Sequence, residues 1–147
     1  MNESRILAKF VSDLKYEHLP PQVVARAKAL ILDQVGIMMA CATLPWSKVI
    51  YDYVRDWGDC KAEATVAHYG YKTKVENAVF ANSSFGHGFE IDDHYLPGES
   101  HPGCISVPSA LAIGEREHGS LLSVQALASR LRRRTHSQTF HCLQSPD

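Results

Sequence analysis

One long helical signal constrains the architecture of this chain more than any other feature. Residues 22–42 carry Val23, Val24, Ala27, Leu30, Ile31, Val35, Met38 and Met39 at the three- and four-residue spacing of an α-helix. They follow Pro20-Pro21, and proline is tolerated in a helix's first turn. Beyond Gln34 the segment is apolar on every side, which predicts burial of its second half. Gly36 within it predicts close approach by another helix. The same periodicity recurs along the chain. Ile6, Leu7, Phe10, Val11 and Leu14 predict an amphipathic helix over 4–16. Pro45 opens a third helix with the stripe Val49, Ile50, Tyr53, Val54 and Trp57, and Gly58 reads as its stop. Residues 74–89 read as a fourth, whose second half is dominated by Ala81, Ser83, Ser84, Gly86 and Gly88; small residues allow tight packing or leave room for a ligand. Residues 94–104, marked by Pro97-Gly98 and Pro102-Gly103, read as a loop. Pro108 then begins a last helix through Leu111, Ala112 and Ile113 to Gly119. Only Ala64-Thr65-Val66-Ala67 has the look of an extended segment. There is no repeat of fixed period, and helix after helix with short connections predicts an all-α fold.

Composition sets the outer bounds. With 147 residues, 45% hydrophobic and 21% charged, the chain matches one folded domain rather than a disordered segment. A formal net charge of −1 gives no pull toward nucleic acid or an anionic membrane, so neither is an expected partner. The longest apolar run, 35–44, is broken by Gly36 and falls short of the roughly 18 residues that a span requires. The polar start Met1-Asn2-Glu3-Ser4-Arg5 lacks a signal-peptide core, and the expected location is cytoplasmic. Cys41, Cys60, Cys104 and Cys142 form no C-x-x-C pair, which argues for free thiols rather than structural zinc or a disulfide framework.

The chemistry concentrates in Gly86-His87-Gly88-Phe89-Glu90-Ile91-Asp92-Asp93-His94, followed after a Pro/Gly turn by His101-Pro102-Gly103. No core needs such a density of titratable groups, because burying an unpaired charge costs on the order of several kcal/mol. Acids beside bases, on a backbone fixed by proline and glycine, are how proton-transfer sites are built. A helix continuing from 74 through Asp93 would set His87, Glu90 and His94 on one face at i, i+3 and i+7, with Asp93 beside Glu90. Asp92 would then point toward a neighbouring helix or backbone donor, and His101 would fold back toward this face. Three readings follow. In a proton-transfer site, neighbouring carboxylates push each other's pKa values apart, and a histidine acts as acid or binds a substrate carboxylate. In a metal site, His87, Glu90, Asp93 and His94 suit Zn, Fe or Mn. In a structural loop, the acids cap helices. Neither H-E-x-x-H nor a paired Glu/Glu-x-x-His set is present. The lone Glu115-x-x-His118 reads as a solvated helix end, with His118 near the C-terminal dipole. The residues alone leave all three readings open.

The run Ala81-Asn82-Ser83-Ser84-Phe85-Gly86-His87-Gly88-Phe89-Glu90-Ile91-Asp92-Asp93-His94, then His101-Pro102-Gly103, then Pro108-Ser109-Ala110-Leu111-Ala112-Ile113-Gly114-Glu115, resembles the MmgE/PrpD family. That family includes 2-methylcitrate dehydratase and cis-aconitate decarboxylase. Leu19-Pro20, Ala27-Lys28, Leu32-Asp33, Gly36 and Ala64-Thr65-Val66 agree as well, so the resemblance covers 4–124. It implies a large all-helical domain joined to a smaller α/β domain, and a homodimer at full length. It also implies lyase chemistry on a small tricarboxylic acid, with no iron–sulfur cluster, required metal or other cofactor. A base removes a proton beside a carboxylate while an acid assists departure of hydroxide, or a carboxylate leaves as carbon dioxide. In the decarboxylase the corresponding stretch supplies an aspartate, a threonine and the histidine of His-Pro; by position these are Glu90, His94 and His101 here. Glu90 is one methylene longer, His94 replaces a hydroxyl, and the loop before His101 is one residue longer. Those departures favour a 2-methylcitrate dehydratase-like or uncharacterised relative. The resemblance therefore implies catalytic roles for Glu90, Asp93 and His101, Glu90 or Asp93 as the proton-transfer carboxylate. It implies substrate-binding or orienting roles for His87, Asp92 and His94.

The family's downstream lysine, histidine and tyrosine have no counterpart here, which predicts an incomplete catalytic set and a chain that is inactive as it stands. The expected division is a partial helical domain over 1–124 and a tail over 125–147. In that tail Arg130, Arg132, Arg133 and Arg134 cluster, and apolar periodicity fades after Leu131. The tail reads as disordered or frameshifted rather than as a nucleic-acid arm, because it lacks interleaved aromatics and a recognition fold. A truncated helical domain would expose apolar faces and self-associate. The rival readings are a non-enzymatic helical remnant and a metal-binding helical protein using His87, Glu90 and His94.

Overall fold

A computed structural model describes residues 2–58 and 61–118. The expectations for Cys60, the stop at Gly119, Cys142 and the 125–147 tail concern residues outside these. Among the described residues, 2–19 belong to one unit and Pro20–His118 to another. The first unit holds α1 (Glu3–Asp13) and a short 3-10 turn at Tyr16–His18. Helix α1 ends before residue 16, where the sequence reading had placed its end, because Leu14 and Lys15 both turn to extended backbone. No residue of α1 is buried.

The second unit runs α2 (Pro21–Cys41), α3 (Pro45–Trp57), β1 (Ala64–Val66), β2 (Tyr71–Thr73), α4 (Val75–Gly86), a 3-10 turn (Leu96–Gly98) and α5 (Pro102–Arg116). Proline occupies the first turn of α2, α3 and α5, where its missing N–H has no helical partner to lose. The architecture is all-α apart from one small antiparallel hairpin, in which Ala64 faces Thr73 and Val66 faces Tyr71. Only β1 had an extended signal in sequence. Asn82 of α4 pins the hairpin: its Nδ2 donates to Thr65 O at 2.9 Å and its Oδ1 accepts from Ala67 N–H at 2.7 Å.

Helix α4 lies at the centre and packs against α2, α3, α5 and both strands. The core consists of Met38, Ala42, Val54, Ala64, Val66, Val75, Ala78, Ala81, Phe85 and Ala112. Fully burying a side chain the size of Phe85 or Met38 contributes about 1.5–3 kcal/mol each. The second half of α2 buries Gln34, Ile37, Met38 and Cys41, but Met39 stays largely exposed, so burial there is one-sided rather than all round. Gly36 has open space where a Cβ would stand, so the expected close helix approach does not occur at it. Among the described residues no single helix is long and apolar enough to cross a membrane.

Two further boundaries differ from the sequence reading, and both shape the site. Helix α4 stops at Gly86 instead of continuing through Asp93. The carbonyl of Gly86, which another helical turn would offer to the N–H of Glu90, accepts a 3.0 Å bond from the buried Gln34 Nε2 of α2. Glu90 N–H turns instead to His87 O at 3.3 Å, with φ +53 at Glu90. The helical face expected to align His87, Glu90 and His94 therefore does not form. At the other end, α5 begins at Pro102, and Pro108 lies buried inside it rather than at its start.

Candidate active site

The C-terminal end of α4, the loop over 87–101 and the first turn of α5 converge on Asp92. Its side chain is 0% exposed, and its Oδ1 accepts from His87 Nδ1 at 2.9 Å. A carboxylate can only accept, so the geometry assigns the Nδ1–H form to His87. Asp92 Oδ2 faces His101 Nδ1 at 3.4 Å, and both atoms are buried without a hydrogen-bond partner. Burial works to raise the Asp92 carboxyl's pKa. The His87 hydrogen bond, its own backbone N–H and Cys104 outweigh it, and the group titrates below its ordinary 3.8. Asp92 is thus an anion held under two imidazoles.

The rings form a row. His87 and His101 have centroids 4.7 Å apart at 62°, and His101 stacks on His94 at 4.9 Å and 28°. Glu90 stands at the rim, with its side chain 79% exposed and Oε1 3.9 Å from His87 Nε2. Asp93 is tied to the backbone of α5. Its Oδ1 accepts the Gly103 N–H at 2.8 Å, which places a carboxylate at the N-terminus of α5, where the helix dipole favours negative charge. Gly103 is required there: a Cβ would collide with Asp93 Oδ1 and press on Gln34 Oε1.

The structure therefore brings His87, Asp92, His94 and His101 together, leaves Glu90 exposed beside them and commits one oxygen of Asp93 to the backbone. It also adds two residues that the sequence reading did not place at the site. Cys104 is buried in the first turn of α5 and its Sγ donates to His101 O at 3.1 Å. Burial, with Asp92 beside it, pushes its thiol up to about 11. Its signal in sequence is adjacency to His101-Pro102-Gly103. Gln34 ties α2 to the end of α4; its signal is a polar residue at the point where α2 becomes apolar throughout.

Chemically, the arrangement offers imidazoles anchored from below by a single anion, with their Nε2 atoms not engaged by Asp92. Such rings can donate or accept a proton, or, once protonated, bind carboxylates.

The chain matches the MmgE/PrpD N-terminal domain over residues 5–139, a span that runs past residue 124 into the Arg-rich stretch. It is 30% identical to a cis-aconitate decarboxylase of Aspergillus terreus over 122 residues, which are 80% of this chain and 24% of that protein. It is 26% identical to the cis-aconitate decarboxylase-like protein oryM of Aspergillus oryzae over 114 residues, 78% of this chain and 23% of that protein. The aligned region thus spans about a quarter of the length of these curated relatives. No solved structure matches the chain. The order of motifs, the helical architecture and the family match over most of its length agree, and the chain belongs to the MmgE/PrpD family.

Proposed function

We propose that this chain contributes one wall of a lyase pocket for small tricarboxylic acids, with 2-methylcitrate-like dehydration as its reaction. The observation that carries the reading is the buried Asp92 anion beneath His87 and His101. A polyanionic substrate needs cationic or hydrogen-bond-donating partners, and imidazoles resting on a buried carboxylate supply them. In an elimination, a base takes the proton from the carbon beside a carboxylate, the C–H electrons form the double bond, and the hydroxyl leaves as water with a proton from an acid. We assign Glu90, reachable at the rim, as the proton-transfer carboxylate and His101 as acid or carboxylate binder. His87 and His94 line the substrate side, Asp92 orients the histidines, and Asp93 positions the start of α5. The names of the relatives favour a second reaction on the same substrate class, loss of carbon dioxide from cis-aconitate. A cytoplasmic homodimer with no required cofactor is part of the same proposal.

The test is histidine side-chain NMR of the purified chain titrated with citrate, 2-methylcitrate and cis-aconitate, beside product assays for dehydration and carbon dioxide release. The proposal expects His87 and His101 signals to move with tricarboxylates and not with acetate, and His101→Ala to abolish the response. Unmoved histidine signals, or binding unchanged in His101→Ala, would overturn it.

A further inference from the structure

We propose that the pocket takes up a tricarboxylate together with one proton, which leaves His101 as an imidazolium with its Nδ1–H on Asp92 Oδ2. The inference rests on the lyase-pocket reading and adds the charge state in which that site holds its ligand. It starts from an asymmetry around Asp92. Oδ1 accepts the Nδ1–H of His87 at 2.9 Å, whereas Oδ2 and His101 Nδ1 stand 3.4 Å apart, both buried and both without a hydrogen-bond partner. A carboxylate oxygen can only accept, so that gap closes only when Nδ1 carries a proton. Leaving a buried acceptor unmade is costly, which favours closing it.

A neutral imidazole cannot serve both of its neighbours. With its proton on Nδ1 it satisfies Asp92 but turns a bare Nε2 lone pair to an incoming carboxylate. With the proton on Nε2 it can donate to the ligand but sets a lone pair against Oδ2. The imidazolium donates at both ends, and the second proton comes from solvent to the free lone pair while no bond of the ligand breaks. The charges around His101 decide the balance. The Asp92 anion, its carboxyl held below 3.8, and the Asp93 carboxylate on Gly103 N–H favour the cation. Against it stands the start of α5, for which His101 is the N-cap and where the helix dipole disfavours positive charge. The rings of His87 and His94, at 4.7 and 4.9 Å, repel it whenever they are charged. Cys104, its thiol pushed up to about 11, stays neutral beside it. Gln34, reaching in from α2, carries no charge, and Glu90 stands beyond His87 at the rim. A bound tricarboxylate adds the negative charge that tips this balance toward the imidazolium.

The experiment is calorimetric titration of the purified chain with citrate and cis-aconitate in buffers of different ionisation enthalpy, at a pH alkaline enough for the ligand to carry all three carboxylates. Nitrogen NMR of the histidines is recorded on the same samples. The expected result is a binding heat that varies with the buffer by uptake of one proton per bound ligand. The Kd should weaken about tenfold for each pH unit on the alkaline side, as linkage to one proton requires. In the complex both nitrogens of His101 should carry a proton. His101→Gln, which keeps a neutral donor, should lose the buffer dependence or lose binding altogether. The NMR measurement needs no variant and so holds even where a substitution disturbs folding. Binding with the same heat in every buffer, a Kd that does not change with pH, a bare His101 nitrogen in the complex, or a buffer dependence unchanged in His101→Gln would overturn this inference and leave the lyase-pocket reading standing. No tricarboxylate binding in any buffer would overturn both.

Discussion

Replacing Asp92 by Asn tests the centre of the site. The substitution keeps the shape but removes the charge, and the amide can present only one oxygen to two imidazole Nδ1 atoms. Asp92→Asn gives up a charge-assisted bond of 2.9 Å to His87, of a kind worth about 1.5–3 kcal/mol. It also relieves the cost of burying an ion. The direction of the Asp92 shift decides which effect wins: the folded environment favours the carboxylate over its neutral form, so the charged interactions exceed the burial penalty. The net loss is about 1–3 kcal/mol at neutral pH, a fall in Tm of roughly 5–15 °C for a domain of this size. The sign with pH follows from linkage. Because the folded group titrates below its unfolded 3.8, the stabilisation is complete above that value and is lost as pH falls through the lower folded value. The gap in stability between wild type and Asp92→Asn should therefore stay constant at neutral to mildly acidic pH and close below about pH 4. Urea denaturation across pH measures it, and nitrogen NMR should show the His87 Nδ1–H form in the wild type alone. Equal stability at neutral pH, or a gap that widens on acidification, would refute the reasoning.

Three further outcomes follow from the same geometry. Gly103→Ala should cost about 1–3 kcal/mol, because its Cβ displaces Asp93 from the α5 N-terminus, whereas Gly114→Ala, with open space around it, should stabilise by about 0.4–1 kcal/mol; denaturant midpoints compare them. Native Cys104, held up at about 11 against the ordinary 9.0, should alkylate about 100-fold more slowly than a free thiol at neutral pH, and mass spectrometry after brief iodoacetamide exposure reads the rate. Gln34→Leu leaves the Gly86 carbonyl buried without its side-chain donor and should cost about 1–3 kcal/mol, seen as a lower Tm.

The long helices were legible because their apolar residues repeat at helical spacing and prolines mark their starts, so α2 and α3 lie close to where the periodicity sets them. The end of α4 was not legible, because a side chain 52 residues away takes the carbonyl that would have continued it. The start of α5 is hidden in the sequence for a related reason. Pro108 looks like a helix opening, but Pro102 and the Asp93 bond to Gly103 N–H begin the helix earlier, and the buried Pro108 is carried within it. Strand β2 is only three residues long, and its partner β1 is held by Asn82 from α4, which no local pattern reveals. At the site, the residue types were visible and their division of labour was not. Spacing along an imagined helix put Glu90 at the centre and Asp92 at the side; the turn at Glu90 reverses this, burying Asp92 and exposing Glu90.

The most direct test of the central claim is the response of the His87 and His101 side-chain nitrogens to a tricarboxylate, measured in the wild type and in Asp92→Asn. The account predicts that both signals move together on adding citrate or cis-aconitate, and that Asp92→Asn loses the paired response while Glu90→Gln retains it. Signals that stay still, or a response that persists unchanged without the Asp92 carboxylate, would contradict it.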